Sequence, residues 1–223
     1  MRVDLHTHTI LSDGELLPIE LARRAFVKGH KAIAFTDHAS LSTMDRVIDE
    51  ARRDAELAEV WGIQCLTGVE ITHVPASKID MVVARARKLG AEIIVIHGET
   101  ISEPVEKGTN LASVKNPEID ILAHPGFITE EEVQLAKDNG VYLEITSRAS
   151  HCKTNGHVAA LAKEDRCEDG RQLRHARAGR PHRPVHRPHH SAGGRPHQAG
   201  GGGRGAGPPV RDNQAEAQLD ARP

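Results

Sequence analysis

Seven side chains of metal-binding type punctuate this sequence: His6, His8, Asp13, His38, Glu70, His97 and His124. His6 and His8 flank one threonine at the end of a short apolar run, and Asp13 follows in Ser12-Asp13-Gly14. His38 (in Asp37-His38), Glu70, His97 and His124 each close an apolar run of their own. Side chains alternate between the faces of a strand, so His6 and His8 project together and can reach one ion. Alone, two histidines at this spacing are weak evidence, because a single histidine at a strand end is usually structural. Five histidines with a glutamate and an aspartate, all where an apolar run meets a loop, point to a metal centre. Imidazole nitrogen mixed with carboxylate oxygen suits Zn, Mn or Fe rather than Ca or Mg. The donors exceed what one ion needs. A multinuclear site follows, with the two oxygens of Glu70 as its natural bridge.

The elements that must position these groups are legible in the hydrophobic pattern. Apolar runs at 3–5, 32–36, 65–71, 93–96, 119–123 and 141–145 read as strands. Amphipathic segments at 16–28, 44–61, 79–89 and 130–139 read as helices between them. Gly29, Gly62, Gly90 and Gly140 stand where each helix should stop. Thr129 with Glu132 three residues on forms a capping box for the fourth helix. Strands alternating with helices imply parallel βα units, and a barrel explains why reactive residues gather at strand C-termini.

Composition narrows the field further. An apolar share of 38% with five aromatics is lean, yet Ala, Ile, Leu and Val can fill a barrel core. No apolar run approaches a membrane span and the N-terminus does not read as a signal peptide. Cys65, Cys152 and Cys167 show no CxxC spacing, as expected of a cytoplasmic protein. Cys152 beside His151 lacks a third orienting group, which argues against a thiolate nucleophile. Residues 1–164 carry 18 Lys+Arg against 25 Asp+Glu, an acidic body that argues against a nucleic-acid partner.

The motifs His6-Thr7-His8 with Ser12-Asp13-Gly14, Thr36-Asp37-His38, Gly68-Val69-Glu70, Ile96-His97-Gly98 and Ala123-His124-Pro125-Gly126 resemble, in order, those of the PHP (polymerase and histidinol phosphatase) family. The likeness is greatest to small, stand-alone members related to histidinol phosphatase. It implies a distorted seven-stranded (β/α) barrel with up to three divalent metals at its C-terminal mouth. By resemblance His6, His8 and Glu70 hold the first metal, Glu70, His97 and His124 the second, and Asp13 and His38 contribute to the third. The implied reaction is hydrolysis of a small phosphorylated substrate by a metal-acidified water. Glu70, His38 and Arg148 are the residues expected to carry it. Arg148, in Ile145-Thr146-Ser147-Arg148, can grip a phosphate through two N–H groups, with His151 and Lys153 as weaker substrate contacts. His73 lies just past Glu70, where a place at the mouth is open to it but loop packing is favoured, while His30 and His157 read as structural. Rival readings are a nucleotide phosphodiesterase or exonuclease, an amidohydrolase-type barrel, and a truncated barrel that binds metal without turnover.

The family completes its first and third sites with an aspartate and a histidine from one more strand, in an Asp-x-His sequence that this chain lacks. From Asp165 onward the grammar changes. Residues 165–223 hold 11 Arg and 6 Asp+Glu but no Lys, Ile, Phe, Tyr or Trp. Such a segment cannot bury a strand and is expected to be disordered. Reading the codons of Gln172-Leu173-Arg174-His175-Ala176 one base later permits asparagine, serine, aspartate, threonine, histidine. The segment is therefore expected to be an out-of-frame translation of the barrel end. On this view the last strand and helix are missing, fewer metals bind, and turnover is impaired.

Overall fold

The computed structural model describes residues 2–164. The expected loss of the last strand and the out-of-frame, disordered segment fall on residues after 164, outside the described ones. Strand β1 (Arg2–Thr7) is followed by helix α1 (Pro18–Val27), β2 (His30–Phe35), a two-residue β3 (His38–Ala39) and α2 (Met44–Ala58). Next come β4 (Gln64–Ile71), α3 (Ile79–Lys88), β5 (Ile93–His97), α4 (Thr109–Val114) and β6 (Ile121–Ala123). The described part ends with α5 (Glu130–Asn139), β7 (Tyr142–Leu143) and α6 (Asn155–Glu164). Every pairing is parallel, along the path β1-β2-β4-β5-β6-β7, with β3 lying beside β4.

The six expected strands are present, and β3 makes a seventh. Two are shorter than the apolar runs that marked them. Ile119 is fully buried yet precedes β6, and β7 keeps only the middle of 141–145. Helix α4 was not expected. It is six residues long and three of its four buried residues, Thr109, Asn110 and Ser113, are polar, so no apolar stripe betrays it. The Thr129–Glu132 capping box forms as expected, with Thr129 N–H donating to Glu132 Oε2 at 2.8 Å and Glu132 N–H to Thr129 Oγ1 at 3.3 Å.

Period-two alternation sorts the strands into two faces. Val69, Ile71, Ile94, Ile96 and Leu122 point outward into the main core, against Val47 and Ile48 of α2, Val82 and Val83 of α3, and Val133 of α5. A separate cluster joins Ile33 and Phe35 of β2 to Ala22 of α1 and Ala51 and Ala55 of α2. Val95, Ile121 and Ala123 face inward, with Leu5 packed against them. Glu70 and His97 share that inner parity, which is why they point into the mouth. The sheet curls far enough to bring its two ends together: His6 on β1 lies 2.8 Å from Glu144, the residue after β7.

Candidate metal centre

Two of the inward ligands need help from the backbone. Strict alternation from Leu5 would turn His6 outward, but the β1–β2 register shifts between Asp4 and Thr7. Alternation from Ala123 would likewise send His124 to the helix side. Instead His124 adopts φ +30, rare for a residue with a Cβ, and its ring swings inward. Gly98 completes the arrangement. A Cβ there would meet Ala123 O at 2.3 Å, so only glycine lets the ends of β5 and β6 approach. His97 and His124 consequently stand edge to face, 4.5 Å between ring centroids.

Glu70 lies at the centre, fully buried. His6 Nε2 at 3.2 Å, His8 Nε2 at 3.0 Å and His38 Nδ1 at 3.0 Å surround one of its oxygens, and His124 Nε2 lies 3.4 Å from the other. His6 Nε2 and His8 Nε2 are themselves 3.1 Å apart. Donors each about 2.0–2.2 Å from a single zinc ion stand roughly 3–3.5 Å from one another, so this triangle has the dimensions of a coordination edge. Among the described residues, neither Glu70 oxygen nor His124 Nδ1 has a hydrogen-bond partner. A buried carboxylate left so is costly, and a cation offsets that cost. Three groups bring their donor atoms within 4.8 Å of one another: His6, His8 and Glu70; His8, Asp13 and His38; and Glu70, His97 and His124. The residues fit divalent ions.

Electrostatics follow from this crowding. Burial would raise the Glu70 pKa, but His124, His38, His6 and His8 hold it well below the ordinary carboxylate range. Burial opposes charge on His6, yet Glu144 and Glu70 push its pKa up to about 10. Burial drives His97 down to about 4, with the neighbouring His124 and His38 adding to the fall against the pull of Glu70 and Glu103.

The remaining expected residues divide. Asp13 Oδ1 lies 2.6 Å from His8 Nδ1, and its other oxygen accepts from Arg148 Nη2 at 2.8 Å. Arg148 is half-exposed at the mouth, and Lys153 is exposed in the turn Cys152–Thr154. His151 is not the exposed contact its loop position suggests. It is buried, stacked on His124 with centroids 4.4 Å apart, and Nδ1 lies 2.7 Å from Thr100 Oγ1. Asp37 is a loop clamp: buried, it accepts from Thr9 N–H, Thr9 Oγ1 and Ser12 Oγ at 2.6–2.8 Å. His30 and His157 bind the backbone oxygens of Ala25 and Ile128. His73 departs from the loop-packing expectation. It sits at φ +52 with its ring stacked on His97 and Nε2 3.5 Å from Glu103.

Two carboxylates at the mouth escaped sequence reasoning. Glu103, in the loop after β5, faces His97 Nε2 at 3.1 Å and His151 Nε2 at 3.5 Å. Glu144 carries the same mark that singles out Glu70, a carboxylate inside an apolar run, here 141–145. That signal was available. Glu103 had none, because its loop has no periodicity.

A parallel α/β sheet that gathers histidines and carboxylates at its strand C-termini has the site placement of a barrel-type enzyme. A family model for the PHP domain matches residues 4–173. An uncharacterized protein of Methanocaldococcus jannaschii is 49% identical over 166 residues, covering 74% of this chain and 76% of that protein. A protein named probable phosphatase, from Caldanaerobacter subterraneus subsp. tengcongensis, is 32% identical over 180 residues, covering 73% of this chain and 71% of its own length. A 5'-3' exoribonuclease of Haemophilus influenzae is 41% identical over 72 residues, covering 32% of this chain and 23% of that enzyme. The chain belongs to the PHP domain family, and is an enzyme of the phosphoesterase type.

Proposed function

We propose that the chain is a divalent-metal-dependent phosphomonoesterase acting on a small substrate of the histidinol phosphate kind. The observation that carries this reading is Glu70, a fully buried carboxylate with two orphaned oxygens between histidines of two ligand groups. His6, His8 and Glu70 would hold the first metal, Glu70, His97 and His124 the second, with Asp13 and His38 offered to a third. Bound there, Zn, Mn or Fe would lower the pKa of a water and offset the charge that develops on the phosphoryl oxygens. Around that centre the protein's own groups bind and orient. Arg148 offers N–H groups to a phosphate oxygen once its pairing with Asp13 loosens, and Lys153 adds charge on the same loop. His38 lies between the two carboxylates, with Nδ1 2.6 Å from Thr72 Oγ1 and 3.0 Å from Glu70, and Nε2 3.8 Å from Asp13. His151 backs His124, so it supports the second site from behind.

Phosphodiester cleavage at an RNA end is the second reading, favoured by the 72-residue match to an exoribonuclease. The excess of acidic residues over 1–164 opposes it. Phosphate release from histidinol phosphate and p-nitrophenyl phosphate, compared with cleavage of a dinucleotide and single-stranded RNA, separates the two. With Mn2+ or Zn2+ supplied, monoester hydrolysis should dominate, vanish on chelation and fall at least 100-fold in Glu70→Gln. Cleavage of the dinucleotide or RNA without monoester hydrolysis would overturn the proposal.

A further inference from the structure

Glu144 stands behind the ligands rather than among them. One of its oxygens lies 2.8 Å from His6 Nδ1, and the other accepts the backbone N–H of His124 at 3.1 Å. Its backbone is anchored in turn, with Glu144 N–H donating to Leu122 O at 3.1 Å. An ionised carboxylate accepts and does not donate, so His6 Nδ1 carries the proton of that contact. Nε2, which faces Glu70 and His8, is then the nitrogen that gives up its proton and offers its lone pair when an ion binds. The second contact holds the turn in which His124 adopts φ +30 and swings its ring into the mouth.

We propose that Glu144 is a positioning residue for two metal sites at once, fixing the tautomer of His6 in the first and the backbone turn of His124 in the second. The proposal rests on the metal-centre reading of the cluster. Its test uses no substrate, so it stands or falls separately from the phosphomonoesterase reading. Asp13 makes a similar contact with His8 Nδ1, but it is exposed and shared with Arg148. Glu144 joins a ligand of the first site to a ligand of the second through hydrogen bonds at its two oxygens.

Two substitutions separate its two contacts. In Glu144→Ala both are lost. Glu144→Gln is nearly isosteric but has a single acceptor oxygen. The His124 N–H is fixed and can only donate, so it claims that oxygen, and the amide NH2 is left facing His6 Nδ1. His6 must then accept at Nδ1 and carry its proton on Nε2, the wrong tautomer for an ion between His6, His8 and Glu70.

The experiment takes the full chain, stripped with a chelator and titrated with Zn2+ against a chromophoric competitor. NMR signals of the His8 and His97 rings assign each binding step to its site. Glu144→Ala should weaken both steps by about 10–100-fold, the usual cost of losing an outer-shell partner. Glu144→Gln should weaken the first step by a similar factor and leave the second within about 3-fold. The Nδ1–H resonance of His6 should be present in zinc-loaded wild type and absent in Glu144→Gln. Wild-type affinity at both steps in Glu144→Gln, or an unchanged His6 tautomer, overturns the proposal. Equal weakening of both steps by Glu144→Gln does so too. Should Glu144→Ala fail to fold, the glutamine variant carries the decision alone.

Discussion

Glu70 contributes donors to two of the three ligand groups, whereas His38 contributes to one. Glu70→Ala should therefore remove more metal than His38→Ala, measured by elemental analysis after desalting. Equal metal content in the two variants would contradict a bridging role. His6 gives a pH signature in the metal-free protein. Burial resists its charge, but the two carboxylates beside it raise its folded pKa from 6.5 to about 10. A raised folded pKa stabilises fully below the unfolded value, and that contribution is lost as pH climbs through the folded one. The melting temperature of chelator-treated protein should fall between pH 7 and 9.5, and Glu144→Gln should flatten the slope. A rising melting temperature would exclude a charged His6. At this scale the sequence showed most of the centre, because ligands that close apolar runs are conspicuous. It showed less of what surrounds them: the burial of His151, the turned backbones of His73 and His124, and Glu103 all depend on loops that no pattern describes.

Among the elements, the approach of β5 and β6 leaves no room for a side chain at Gly98. Gly98→Ala places a methyl 2.3 Å from Ala123 O and 2.9 Å from Pro125 Cα, both backbone atoms that cannot swing aside. It should cost about 1–3 kcal/mol in denaturant unfolding and weaken the His97–His124 site specifically. Gly156→Ala is the contrast. It lies in α6 with nothing within 4 Å of a Cβ, and should stabilise by about 0.5–1 kcal/mol. The same denaturation curves measure both; a destabilised Gly156→Ala would mean that α6 is not the ordinary helix described. The alternation of strands and helices was legible, because each helix packs one stripe against the outer face of the sheet. Helix α4 and strand β3 were not. Both are too short to show a period, and tertiary contact alone makes them regular.

For the whole molecule, the family match extends to residue 173, beyond the described residues. The out-of-frame expectation can be checked directly by sequencing the gene after the Lys163 codon. A frame that restores Asp-x-His should yield a chain hydrolysing p-nitrophenyl phosphate at least 10-fold faster than the one translated here, since it regains two family ligands. An early stop in that frame would sink the idea. The contact between His6 and Glu144 joins residues 138 apart in sequence. Closing a loop of that length is entropically late, so the first ligand is locked only after the intervening strands have docked. Metal capture at the first site should therefore come late in folding. Zinc should slow unfolding in stopped-flow measurements while leaving the refolding rate nearly unchanged, and during synthesis the nascent chain should hold no ion tightly at the first site until Glu144 has left the ribosome.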